Sequence, residues 1–132
     1  MLSMLRSIVQ EVNRASNLED ALSIIVSRVK EAMSTEVCSI YLLDTELNRY
    51  VLEASKGLNE DSIGRVSLGY SEGLVGLVGQ REEPLNIANA RSHQHYIHTP
   101  EVEEDDFNAF LGTPIIHQRK VLGILSIQQM HA

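Results

Sequence analysis

Four groups of side chains in this 132-residue chain could do chemistry. His93, His95 and His98 put three imidazoles close together. On a helix His95 and His98 would share a face, as ligands of a transition metal do. No cysteine lies nearby and the carboxylates downstream form a run, so solvated loop histidines are the simpler reading. That run (Glu101, Glu103, Glu104, Asp105 and Asp106) offers oxygens to a hard cation but lacks the spacing and central glycine of an EF-hand. A solvated charge run, or a lid held extended by its own repulsion, competes with cation binding. The glycine-rich stretch Gly69 to Gly79 invites a phosphate-cradle reading, yet it contains neither Gly-Lys-[Ser/Thr] nor Gly-x-Gly-x-x-Gly and does not sit in a βαβ unit. The free N–H groups of a helix there could still receive a small carboxylate. Cys38, the single cysteine, lies between Val37 and Ser39 with no base beside it in sequence, and reads as a small buried hydrophobe. No Ser-His-Asp signature, paired carboxylates or His-Glu-x-x-His is present, so catalysis by this chain itself is not expected.

Composition narrows the function classes. The net charge is -7, and the acidic run supplies most of it. There is no basic stripe and no tryptophan, so neither phosphate tracking nor base stacking is supported and nucleic acid is not expected as a partner. One cysteine excludes an intrachain disulfide. Arg6 and Glu11 interrupt what would be the apolar stretch of a secretory signal, and the apolar runs are strand-length, far below the roughly 20 residues that span a bilayer. A cytoplasmic domain without membrane contact is the expectation.

The elements that must position these groups follow from periodicity. Leu2, Leu5, Ile8, Val9, Val12 and Ala15 recur at helical steps, and Leu18 to Met33 continue at the same spacing after Asn17, whose side chain can cap the new helix. From Val37 the period falls to two. Val37–Leu43 and Tyr50–Ala54 predict a hairpin, Arg65–Leu68 an edge strand, and Pro84–Ala88 a short extended piece. Ser71 is placed to cap a short helix in which Gly73, Gly76 and Gly79 leave one face as bare backbone. Each glycine costs about 1 kcal/mol against alanine, so tight packing or a ligand must compensate. Phe107 opens a final hairpin of two long apolar strands around Gln118–Lys120. Two leading helices followed by gathered strands imply one α+β domain over 1–132, with a central antiparallel sheet of five to six strands. Both helices are expected on one face, and the short helix and loops over a pocket on the other. Alternation puts Ser39 and Tyr41 opposite Cys38 and Ile40, and Ser126 and Gln128 opposite Leu125 and Ile127, the polar sets being the expected pocket walls. Candidate small-molecule contacts are Tyr41, Ser67, Gly73, Asn86, Asn89, Phe110, Gly112 and Ser126, with ordinary packing the alternative at each.

The order of elements, with Thr35-Glu-Val-Cys-Ser-Ile-Tyr-Leu-Leu-Asp44, Glu72-Gly-Leu-Val-Gly-Leu-Val-Gly79, Pro84-Leu-Asn-Ile-Ala-Asn-Ala90 and Phe110-Leu-Gly-Thr-Pro-Ile-Ile116, resembles the GAF domains, which are related in fold to PAS domains. The opening residues, Met33–Ser39 and Ala109–Ile116 resemble more narrowly the N-terminal GAF domains of nitrogen-branch enzyme I of the phosphoenolpyruvate phosphotransferase system. That resemblance implies a sensor of nitrogen metabolites such as glutamine, attached to an enzyme that takes phosphate from phosphoenolpyruvate onto a histidine and passes it to a small phosphocarrier protein. The phosphoacceptor histidine and the magnesium site would lie in other domains, so this chain itself needs no cofactor. It also implies that the chain is an N-terminal fragment, without the C-terminal helix many GAF domains carry. The cyclic-nucleotide set and the chromophore cysteine of other GAF domains have no counterpart here. The competing expectation is a homodimerisation module that binds no ligand and pairs through Leu5, Ile8 and Val12.

Overall fold

The computed structural model describes residues 2–58, 60–93 and 108–129. Helix α1 (Leu2–Asn13) and helix α2 (Leu18–Met33) lead into strands β1 (Val37–Asp44), β2 (Arg49–Lys56) and β3 (Ser67–Gly69). Helix α3 (Gly73–Arg81), β4 (Leu85–Ile87), β5 (Ala109–His117) and β6 (Lys120–Gln129) follow. The six strands form one antiparallel sheet in the order β3-β2-β1-β6-β5-β4, so the first and last strands pair at its centre. The fold is α+β, as the periodicity predicts.

Local chemistry accounts for the helix ends. The Asn17 Oδ1 accepts a hydrogen bond from the Asp20 N–H at 2.7 Å, satisfying one of the free donors that open α2. Ser34 closes the helix in left-handed backbone. The cap of α3 differs from expectation. Glu72 rather than Ser71 occupies it, and its carboxylate accepts from the Gly69 N–H at 2.6 Å instead of capping the helix. Gly73 then has φ 67°, a left-handed conformation that glycine adopts freely and a side chain resists by about 1–2 kcal/mol.

Each face of the sheet carries its own apolar cluster. Cys38, Ile40, Ala54 and Ile127 pack under Leu22 and Val26 of α2. On the opposite face Val37, Tyr41, Tyr50, Leu52, Phe110 and Ile124 pack under Leu74, Val75 and Val78 of α3. The cover on the first face comes from α2, with α1 forming a further layer against α2 and Glu11 paired to Arg28. The edge strand β3 begins at Ser67, two residues later than its sequence pattern suggests. Among the described residues no helix is long and apolar enough to cross a membrane.

Candidate functional site: the α3 face of the sheet

A row of small polar residues crosses the α3 face. Ser55, Ser39, Ser126 and Gly112 lie opposite one another on β2, β1, β6 and β5. All three serines are buried, and the Ser39 and Ser55 hydroxyls share a hydrogen bond of 2.9 Å. The Ser126 hydroxyl, at 1% exposure, has no partner among the described residues. A buried hydroxyl left unpaired costs about 1–3 kcal/mol, which a ligand able to donate or accept would recover. Gln128, also buried, stands in the next row beside Val37 and Phe110.

Four of the predicted contact residues converge on this face: Tyr41, Phe110, Gly112 and Ser126. Tyr41 and Phe110 are themselves core side chains, at 2% and 5% exposure. Gly73 lies buried at the start of α3. Asn89 joins the loop after β4 to the start of β5, its Oδ1 accepting from the Asn108 side-chain amide at 3.1 Å.

The structure does not bring Ser67 and Asn86 to this place. Asn86 lies opposite Leu111, which packs with the α2 cluster, while its neighbours Leu85 and Ile87 pack with the α3 cluster. Alternation in β4 thus turns Asn86 to the α2 side. There it lines an open groove of about 360 Å³ with Met33, Leu111, Ile127 and Gln129. Ser67 sits on the far edge strand, where its hydroxyl and carbonyl accept from Arg49 at 2.8 and 3.0 Å. Five strand spacings of about 4.8 Å separate β3 from β4 across the sheet, too far for one small ligand.

Close packing explains the glycines of α3. A Cβ at Gly76 would fall 2.7 Å from the Ser71 carbonyl carbon, and one at Gly79 would strike the Tyr50 hydroxyl. Gly112 answers α3 from the sheet, where a Cβ would lie 2.9 Å from a Val78 methyl. The Tyr50 hydroxyl is buried and has no hydrogen-bond partner among the described residues, and the ring stacks on Tyr70 at 6.2 Å between centroids. Burial, then the neighbouring Tyr70 and Glu82, push the Tyr50 phenol above its ordinary range. Sequence pattern gives no sign of this role for Tyr50 or of the part played by Ser55.

The remaining sequence candidates divide simply. Cys38 is fully buried and its thiol is pushed up to about 12 by that burial, so it is neither an accessible nor an ionised nucleophile at neutral pH. His93 is half-buried after the short 3-10 turn Ala90–Ser92. His95, His98 and the acidic run 101–106 lie outside the described residues, as does Phe107. Among the described residues no group of three His, Cys, Asp or Glu side chains is placed to hold a metal.

Two leading helices and a β3-β2-β1-β6-β5-β4 antiparallel sheet define the fold class of this chain as that of the small α+β GAF domains. The chain belongs to the GAF domain family, which matches residues 17–132. It is 50% identical to the GAF domain from a phosphoenolpyruvate-protein phosphotransferase of Coxiella burnetii, with a TM-score of 0.92 over 98% of this chain and 77% of that one. The corresponding Acinetobacter domain is 52% identical, with a TM-score of 0.87 and the same coverage. A protein of Escherichia coli K12 named phosphoenolpyruvate-dependent phosphotransferase system is 46% identical over 92% of this chain, which spans 16% of that relative's length. A free methionine-R-sulfoxide reductase of Neisseria meningitidis, 17% identical with a TM-score of 0.81 over 97% of this chain and 72% of that one, shares the fold alone.

Proposed function

We propose that this chain is the regulatory, metabolite-sensing GAF domain of a phosphoenolpyruvate-protein phosphotransferase, and that ligand binding on its α3 face adjusts autophosphorylation of the parent enzyme. The observation that carries the sensing role is the Ser126 hydroxyl, buried and unpartnered beside the Ser39–Ser55 pair. A hydroxyl in that setting suits a small ligand with amide or carboxylate groups, such as glutamine or a related nitrogen metabolite. The similarity to phosphotransferase GAF domains at 50% and 52% identity supports the parent. In that parent, a cytoplasmic enzyme, phosphate would pass from phosphoenolpyruvate to a histidine and on to a small phosphocarrier protein, with magnesium held in the catalytic part. None of the five histidines of this chain takes that role.

Thermal melting with glutamine or 2-oxoglutarate tests the reading. A ligand at 100 times its Kd stabilises by about 2.7 kcal/mol. Ser126→Ala should remove that shift while leaving the unliganded protein folded. Melting that stays constant across millimolar glutamine and 2-oxoglutarate counts against sensing by this domain.

A second reading is favoured by one observation, the burial of Tyr41 and Phe110 within the α3 cluster, which fills that face with the protein's own side chains. On this reading the domain pairs two parent chains through α1, where Val9 is 48% exposed beside half-buried Ile8 and Val12. Leu5 belongs to the same helix. Sedimentation of an Ile8→Asp variant decides it, since a dimer that survives the change does not use this stripe.

A further inference from the structure

The β5–β6 hairpin turns through Gln118 and Arg119, both in left-handed backbone with φ of 51° and 67°. A two-residue turn of this hand favours Asn-Gly, so Gln-Arg is kept here against the preference of the backbone. The strands leading into the turn are irregular as well. Ile115 lies opposite Gly123 but Ile116 lies opposite Val121, which leaves Leu122 as an extra residue on β6. Such a bulge re-aims a side chain, and Leu122 is 46% exposed although β6 is a central strand. Ile116 beside it is 45% exposed. Between them Arg119 and Lys120 are exposed and make no ion pair among the described residues. From Phe107 to Ala132 the chain has no Asp or Glu, and Arg119 and Lys120 are its only Lys or Arg, in a protein of net charge -7.

A strained turn, an outward-aimed leucine, a second exposed aliphatic and two exposed cations at one hairpin tip suit a contact. Apolar area supplies affinity, and like-signed charges select an opposite-signed surface. We propose that this tip docks an acidic, partly apolar surface of the longer polypeptide that contains the domain. Ile116 and Leu122 supply the contact area, and Arg119 and Lys120 pair with the carboxylates. The proposal rests on the functional reading above only in taking the domain as part of a longer protein. The 16% of the Escherichia coli relative spanned by this chain leaves ample polypeptide for such a partner.

The test uses the full-length protein with Leu122 replaced by the photo-crosslinker p-benzoylphenylalanine, and with Ser3 replaced in the same way as an exposed control. Illumination and peptide mapping should give a crosslink from position 122 to an Asp- and Glu-containing segment outside residues 1–132. Adding Gln118→Asn and Arg119→Gly relaxes the turn while removing a cation. That variant should melt at or above the parent temperature yet lose crosslink yield by about 5-fold, because steering by the cation is gone. A yield at 122 no higher than at Ser3, a crosslink confined to residues 1–132 of the same or of a second copy, or an undiminished yield in the relaxed-turn variant each overturns the proposal. Ser126→Ala, expected to remove the melting shift, should leave the crosslink unchanged, so docking and sensing fail separately.

Discussion

The α2 face of the sheet buries Cys38, Ile40, Ala54 and Ile127 beneath Leu22 and Val26, whereas the α3 face buries Ser39, Ser55, Ser126, Gln128 and two tyrosines among its apolar side chains. Both unpartnered buried hydroxyls found among the described residues, on Tyr50 and Ser126, belong to the α3 face. One sheet thus presents a side whose buried cluster is apolar and serves stability, and a side where burial of polar atoms costs stability. The cost falls on the face proposed to receive a ligand. On that side α3 approaches the sheet through Gly79 and Gly112.

Large-to-small changes probe whether both sides are true cores. Leu52→Ala on the α3 face and Ile40→Ala on the α2 face should each cost about 2–5 kcal/mol in urea unfolding. A Leu52→Ala variant as stable as the parent would show that the α3 face is not packed as described. Next in size is Gly79→Ala. The added methyl gains about 1 kcal/mol of helix propensity but overpacks against Tyr50, which costs about 1–3 kcal/mol, so the net change should be destabilising. Tyr50→Phe alone should be neutral or stabilising, because the hydroxyl it removes has no partner. Combined with Gly79→Ala it should recover part of the loss, with a coupling of about 0.5 kcal/mol or more. Strict additivity would separate the two residues.

Smaller effects distinguish the serines. Ser39→Ala strands the Ser55 hydroxyl and should cost about 1 kcal/mol, while Ser126→Ala removes an atom that already lacks a partner and should leave unliganded stability within about 0.5 kcal/mol of the parent. Equal losses from the two would erase the distinction between them. The smallest effect at neutral pH comes from titration of Cys38 in the α2 cluster. Its thiol is raised from 9.0 to about 12, so the folded state holds the proton more tightly than the unfolded state. That contribution is fully present below pH 9 and is lost as pH rises from about 9 toward 12. Urea midpoints should therefore fall across that window, and Cys38→Ala should flatten the fall, leaving the part due to Tyr50, whose phenol is shifted in the same direction.

Much of this architecture was legible from short-range pattern. The spacing from Leu18 to Met33 after Asn17 specifies α2 and its cap, and the period-two run at Val37 places Ser39 and Tyr41 on one face against Cys38 and Ile40. Tyr41, Phe110, Gly112 and Ser126 were therefore reachable as residues of one face. Residue type alone favours Ser71 as the cap and cannot report that Glu72 takes that position with its carboxylate folded back onto the Gly69 N–H. The irregular residues 89–93 gave no periodicity to read, and they are tied to the start of β5 by the Asn89–Asn108 side-chain pair and by the Ala90 N–H donating to the Asn108 carbonyl at 2.6 Å.

By itself the sequence determined the helices, the strands and the alternation within each strand, since these depend on neighbours a few residues away. Tertiary structure decided what each alternating set faces. Glu53 has no partner on β1, because Ile40 lies opposite Ala54 and Tyr41 opposite Leu52. That single bulge moves Ala54 to the α2 cluster and brings Ser55 to Ser39, where unbroken alternation from Tyr50 would do the reverse. The side taken by Asn86, the arrest of Ser67 by Arg49, and the use of glycine to admit Tyr50 depend likewise on pairings between distant segments. Register and close approach are set by which strands meet, and local propensity carries no record of that meeting.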